Sequence, residues 1–175
     1  MAVLCGNHAQ AETKVYLLRG WFGVFSTGMD TMAEQLRSTG IKAEALGHRA
    51  WRSAVSDIVK DRNAGATNRL AFVGHSQGAN NVIDMARELK AHHIAVDLLI
   101  TLVPFGQDPV PSNVARAINY YQSPGWGSPL ETDADFNGEL SNINVAADWE
   151  IFHISIDKSP KIQAQVAKAI ADLPP

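Results

Sequence analysis

The chain has 175 residues, 46% of them apolar and 19% charged, with a formal net charge of −3 and one cysteine. That length matches one ordinary domain able to bury roughly two-thirds of its unfolded surface, and the composition is globular rather than disordered or disulfide-stapled. Charges of both signs are scattered, leaving no basic stripe for nucleic acid; Cys5 has neither a disulfide partner nor a Cys/His spacing suited to zinc; and no apolar run approaches the ~20 residues of a bilayer span.

Residues 1–13 read as a leader. Residues 1–6 are briefly apolar and Ala9-Gln10-Ala11 resembles a signal-peptidase site, without the basic residue and apolar length of a full export signal. The segment is therefore either the remnant of such a signal, implying a periplasmic or secreted protein, or a flexible leader on a cytoplasmic one. A single domain is expected over residues 14–175.

Residues 14–18 are a compact apolar run ending at Arg19-Gly20, the pattern of a buried strand. Residues 27–38 then carry Met29, Met32, Ala33 and Leu36 at helical spacing. Thr31 and Glu34 would form a capping box if that helix began a little later, and Gly40 stops it. A second strand follows at 42–46, and residues 50–62 place Trp51, Val55, Ile58 and Val59 on one helical face. The third strand, 69–73, runs into Gly74-His75-Ser76-Gln77-Gly78, after which a helix at 79–89 turns Val82, Ile83, Ala86 and Leu89 inward.

Residues 96–103 are almost continuously apolar, as a central parallel strand covered on both faces requires. Residues 115–121 and 150–155 supply two more strands. Between them, 123–148 is rich in Gly, Pro, Asn and acidic residues and too long for an ordinary connection; it reads as a functional loop or as a solvated insertion. Ser159 as N-cap and Pro160 at the first helical position open a last helix with an Ile162, Val166, Ile170 stripe. Six strands alternating with helices predict an α/β fold, a three-layer α/β/α sandwich around a parallel sheet.

The pentapeptide at 74–78 matches G-x-S-x-G, and its place between an apolar strand and an amphipathic helix is where a serine nucleophile has to stand. The chain must turn sharply there, and the glycines remove side chains that would collide with strand and helix. The helix after Ser76 aims its N-terminal amides at the same spot, making the Gln77 N–H an oxyanion donor. A serine hydroxyl also needs an imidazole to take its proton.

Gly-His-Ser-Gln-Gly-Ala resembles the nucleophile elbow of the bacterial lipases, cutinases and thioesterase-like esterases of the α/β-hydrolase superfamily. The resemblance runs from Lys14 to the C-terminus. Within it, Leu17-Leu18-Arg19-Gly20-Trp21 is similar to the lipase strand that ends in His-Gly before an apolar oxyanion residue, with Arg19 in place of the histidine. The resemblance implies a strand order 2-1-3-4-5-6 and a second oxyanion donor at the N–H of Trp21, or of Phe22 if the loop is shifted. It also implies the chain order Ser, acid, His, with the histidine after the last strand. His8 and His48 precede the serine, His75 points away from the site in the family, and His92 and His93 complement a helix dipole; His153 remains as the base.

The acid is open. Lipase relatives carry Asp-Pro after the strand that follows the elbow, where this chain has Val103-Pro104. Asp108, followed by Pro109, is the leading candidate, with Asp133, Asp135 and Asp148 as alternatives; any of them could equally be a solvated loop carboxylate. Phe22, Phe105 and Trp126, with Trp21 and Phe25, fall in loops above the strand ends and would line an apolar acyl site, although loop aromatics such as Phe25 also seal the top of a core.

These readings imply a serine hydrolase that cleaves a small-molecule or lipid-like carboxylic ester through an acyl-enzyme, with no metal or organic cofactor. The alternatives are an acyl thioesterase using the same residues, or a non-catalytic binding module that keeps the fold, the latter motivated by Val103 standing where an Asp is expected.

Overall fold

The computed structural model describes residues 12–21 and 23–174; the expectations for residues 1–11 and for Phe22 lie outside the described residues. The elements are β1 (Thr13–Arg19), α1 (Gly28–Ser38), β2 (Lys42–Gly47), α2 (Trp51–Asn63), β3 (Arg69–His75), α3 (Gln77–Ala91), β4 (Val96–Leu102), β5 (Val114–Tyr121), β6 (Glu139–Asn144) and α4 (Pro160–Ala171). The six strands form one all-parallel sheet in the order β2-β1-β3-β4-β5-β6. Among the described residues, no helix is long and apolar enough to cross a membrane.

Strand alternation divides the core into two layers. Val15, Leu17, Val73, Ile100 and Ile118 face the helices α1 and α4, while Tyr16, Leu18, Phe72, Leu99 and Ala117 face α2 and α3. Because both faces are covered, β1, β3 and β4 are apolar at nearly every position. The edges are built differently. In β2, Lys42, Glu44 and Gly47 are exposed, and β6 is mostly exposed and polar, which discourages further strand addition.

The sixth strand corrects the reading of the sequence. Residues 150–155 form turns, and the last strand is Glu139–Asn144, inside the stretch read as a long loop. An edge strand paired on one side needs little apolar surface, so Glu-Leu-Ser-Asn-Ile-Asn carries no clear period-2 signal. Side-chain hydrogen bonds fix it instead. Thr101 Oγ1 donates to Asn119 Oδ1 (2.8 Å), Asn119 Nδ2 donates to Asn142 Oδ1 (2.8 Å), and Asn142 exchanges two bonds with the Leu130 backbone (2.8 and 3.0 Å). These three side chains sit in register across β4, β5 and β6. The connection from β5 to β6 carries no helix, and its Leu130 and Phe136 pack into the layer of α2 and α3.

Two helix starts also differ in kind. Helix α1 begins at Gly28, three residues before Thr31, so the Thr31–Glu34 capping box does not form. Helix α4 opens as expected, with Ser159 Oγ accepting from the Ile162 N–H and Pro160 at the first position.

Candidate active site

Between β3 and α3 the backbone turns at Ser76 with φ 55° and ψ −120°, a conformation that non-glycine residues adopt only when the surroundings enforce it. The enforcement is visible. A Cβ on Gly74 would lie 2.3 Å from the Gly78 carbonyl oxygen, and one on Gly78 would lie 2.3 Å from the Leu18 carbonyl oxygen, so strand, helix and neighbouring β1 close on the turn. The Ser76 N–H donates to the Leu102 carbonyl at the end of β4 (2.9 Å). The serine hydroxyl is thereby held at the carboxyl edge of the sheet, between β1 and β4.

His153 Nε2 lies 3.1 Å from Ser76 Oγ. The histidine stands in the turns between β6 and α4, a segment tied down by Gln122 Nε2, which donates to the Ile151 carbonyl (2.6 Å), and by Lys158 Nζ, which donates to the carbonyls of Ile154 (3.0 Å) and Phe25 (3.1 Å). The Trp126 ring stacks on the imidazole with centroids 4.4 Å apart. Burial, followed by the neighbouring His75, pushes the His153 pKa down to about 4.

Among the described residues, no carboxylate reaches the other imidazole nitrogen: His153 Nδ1 is buried without a hydrogen-bond partner. Asp108 accepts from Asn80 Nδ2 (3.1 Å). The same Asn80 uses its Oδ1 to accept the N–H groups of Phe105 (2.8 Å) and Gly106 (3.0 Å), so Asp108 belongs to the anchorage of the loop after β4. Asp133 pairs with Arg87 and Lys90, Asp135 with Lys90 and Ser112, and Asp148 with Lys161. None of the four acids considered from the sequence therefore meets the imidazole. A fifth, Asp157, is fully buried, accepts the Gly28 N–H at the start of α1 (2.8 Å) and leaves Oδ1 unpaired; burial raises its pKa to about 6.

Gly20 packs against the nucleophile, for a Cβ there would come within 3.1 Å of Ser76 Cβ. Trp21 follows immediately, and Gln77 opens α3; no acceptor takes either N–H among the described residues. Arg19 binds the Asp30 carboxylate through Nε and Nη2, tying the end of β1 to α1. Above the site the rings of Trp21 and Phe105 lie 5.9 Å apart and those of Phe105 and Trp126 6.2 Å apart, an aromatic row that ends on His153. Trp21, Phe25 and Phe105 are each more than half exposed. Elsewhere, an apolar cleft of about 510 Å³ between α1 and α4, lined by Met32, Leu36, Ile41 and Val166, is remote from Ser76. Among the described residues, no three His, Cys, Asp or Glu side chains gather as metal ligands.

Two residues escaped the sequence. His75, set aside as pointing away, is 2% exposed; its Nε2 donates to the His153 carbonyl (2.6 Å), and its Nδ1 lies 2.8 Å from Ser26 Oγ. The only sequence signal for His75 was its place in the elbow, and Ser26 gave none. Val103, where the resemblance led to the expectation of an Asp, has φ 46°, which a β-branched residue rarely adopts.

No family model and no curated protein matches the sequence. Among solved structures, the product of the gene lin2722 from Listeria innocua is similar with a TM-score of 0.62 and 12% identity over 94% of this chain and 96% of that one. A candidate hydrolase of the alpha/beta superfamily from Xanthomonas campestris pv. campestris gives a TM-score of 0.48 and 15% identity, over 93% of this chain and 98% of that one. At 12% identity the likeness to the Listeria protein concerns the fold alone. With its parallel sheet in the order 2-1-3-4-5-6, helices on both faces and a serine at positive φ between the third strand and the next helix, this chain has an α/β-hydrolase-like fold.

Proposed function

We propose that this protein is a serine hydrolase that cleaves a carboxylic ester through an acyl-enzyme, with Ser76 as nucleophile and His153 as base. The observation that carries the reading is the 3.1 Å approach of His153 Nε2 to a serine hydroxyl held at positive φ. With the imidazole proton on Nδ1, Nε2 accepts the hydroxyl proton as Oγ attacks the carbonyl, then returns it to the departing alcohol. Water, deprotonated by the same nitrogen, releases the acid. The N–H groups of Gln77 and Trp21 would receive the oxyanion. The row Trp21, Phe105, Trp126 offers an apolar face to the acyl group. A thioester would undergo the same chemistry with a different leaving group.

With no carboxylate on Nδ1 among the described residues, the pair would work as a dyad, and turnover below that of a full triad is expected, since the imidazolium gains no counter-charge. The same orphaned nitrogen favours a second reading, a binding module that keeps the fold without the reaction. Labelling of Ser76 by a fluorophosphonate, together with hydrolysis of matched oxygen and sulfur esters, separates the two. Loss of label in Ser76→Ala, and an activity drop on the order of 10³-fold or more in Ser76→Ala and His153→Gln, support the hydrolase. A wild type that neither labels nor turns over any acyl ester leaves the binding module.

A further inference from the structure

His75 and Ser26 join the two loops that flank the nucleophile. The carbonyl of His153 can only accept, so the 2.6 Å bond fixes a proton on His75 Nε2. In the neutral ring Nδ1 is then an acceptor, and Ser26 Oγ–H donates to it across 2.8 Å. The lone pair left on Ser26 accepts the Gly20 N–H at 3.0 Å. Ser26 and His75 are both buried, so no water competes for these bonds, and burial also keeps His75 neutral with a pKa lowered to about 4. The result is one directed chain from Gly20, beside the oxyanion loop, through Ser26 and His75, to the backbone of His153.

A triad acid orients the imidazole through Nδ1, but Nδ1 has no such partner among the described residues. The orientation of His153 must therefore come from its backbone and from the ring stacked on it. From the geometry we infer that His75 and Ser26 are positioning residues: they hold the His153 backbone and the Gly20–Trp21 strand end at fixed distances from Ser76, replacing the orienting function of the absent carboxylate. This rests on the reading of Ser76 and His153 as nucleophile and base. The residue before the nucleophile thus sets the spacing of the base on one side and of the oxyanion donor on the other.

The test uses Ser26→Ala, His75→Asn and His75→Gln in the full chain. An asparagine can still meet Ser26 but is too short to reach the His153 carbonyl, whereas a glutamine amide can replace the Nε2–H donor. Expected is a kcat about 10- to 100-fold lower in His75→Asn, largely recovered in His75→Gln, and about tenfold lower in Ser26→Ala, with KM for a short activated ester within about twofold throughout. Ring-nitrogen NMR of uniformly labelled protein should find His75 as the Nε2–H tautomer and His153 ring signals displaced by Ser26→Ala. The proposal is overturned by a folded His75→Asn whose kcat stays within about twofold of wild type, by the opposite His75 tautomer, or by His153 signals indifferent to Ser26→Ala. Should His75→Asn fail to fold, Ser26→Ala and the tautomer decide. An inert wild type with the expected tautomer and displaced signals removes the hydrolase reading and leaves the hydrogen-bond chain standing.

Discussion

At the level of single residues, the protonation of His153 decides what the site can do. Its pKa, lowered to about 4 mainly by burial, keeps Nε2 free to accept a proton well into the acid range. On the proposed function, ester hydrolysis is therefore expected to hold down to pH about 5 and to fall as pH drops through about 4, whereas an exposed imidazole would lose its neutral form near 6.5. The low basicity also slows proton transfer, a second reason to expect modest turnover from the proposed dyad. Trp126→Ala removes the ring stacked on the imidazole and admits water, so the acid limb of kcat/KM should move up toward 6.5. A pH–rate profile of both proteins checks this, and an unmoved limb would mean that the desolvation comes from elsewhere.

The elements themselves are held in register by a few close contacts. Asn119 is fully buried and links β4 to β6 through Thr101 and Asn142. Asn119→Leu would leave the partner groups unpaired at a cost of about 1 to 3 kcal/mol each and should lower the melting temperature by several degrees, with hydrogen exchange rising first in β6. Gly78 is a second such point. A methyl group 2.3 Å from the Leu18 carbonyl oxygen cannot be accommodated by side-chain movement, so Gly78→Ala should cost about 1 to 3 kcal/mol or more and push α3 away from β1. Denaturant unfolding measures the first effect. A fall in Ser76 labelling beyond the loss of folded protein would report the second.

Across the whole molecule, two buried ionisable groups oppose each other with pH. Asp157 has its pKa raised to about 6, so the stability it allows is complete below its ordinary value near 3.8 and is lost as pH rises through 6. His75, lowered to about 4, behaves in the reverse sense: its contribution is complete above about 6.5 and is lost as pH falls through 4. Both groups brace the site loops, one at the start of α1 and one at the elbow. Acidification from pH 7 to 5 should gain about 1 kcal/mol from Asp157 and lose about 2 kcal/mol at His75. Asp157→Asn removes the gain, so its thermal melts should decline more steeply between pH 7 and 5 than those of the wild type. Parallel slopes would show that Asp157 is ionised in the fold.

Much of this was written locally. Apolar runs on β1, β3 and β4, helical stripes on α1 to α4, and the Ser159-Pro160 start all follow from short-range spacing, because burial on one or two faces imposes a period that survives in the sequence. The elbow was legible because its pentapeptide stands between an apolar strand and an amphipathic helix that are consecutive in the chain, although the contact that forces Gly78 comes from the distant β1. Strand β6 was not, because it is polar, pairs on one side and is pinned by Asn142 across three strands. The approach of His153 Nε2 to Ser76, the anchoring of Asp108 by Asn80, and the chain from Gly20 through Ser26 and His75 join residues 6 to 78 positions apart. Hydrogen bonds over such separations leave no periodic trace, since each depends on where the folded sheet brings two distant loops together; only the tertiary structure could decide them.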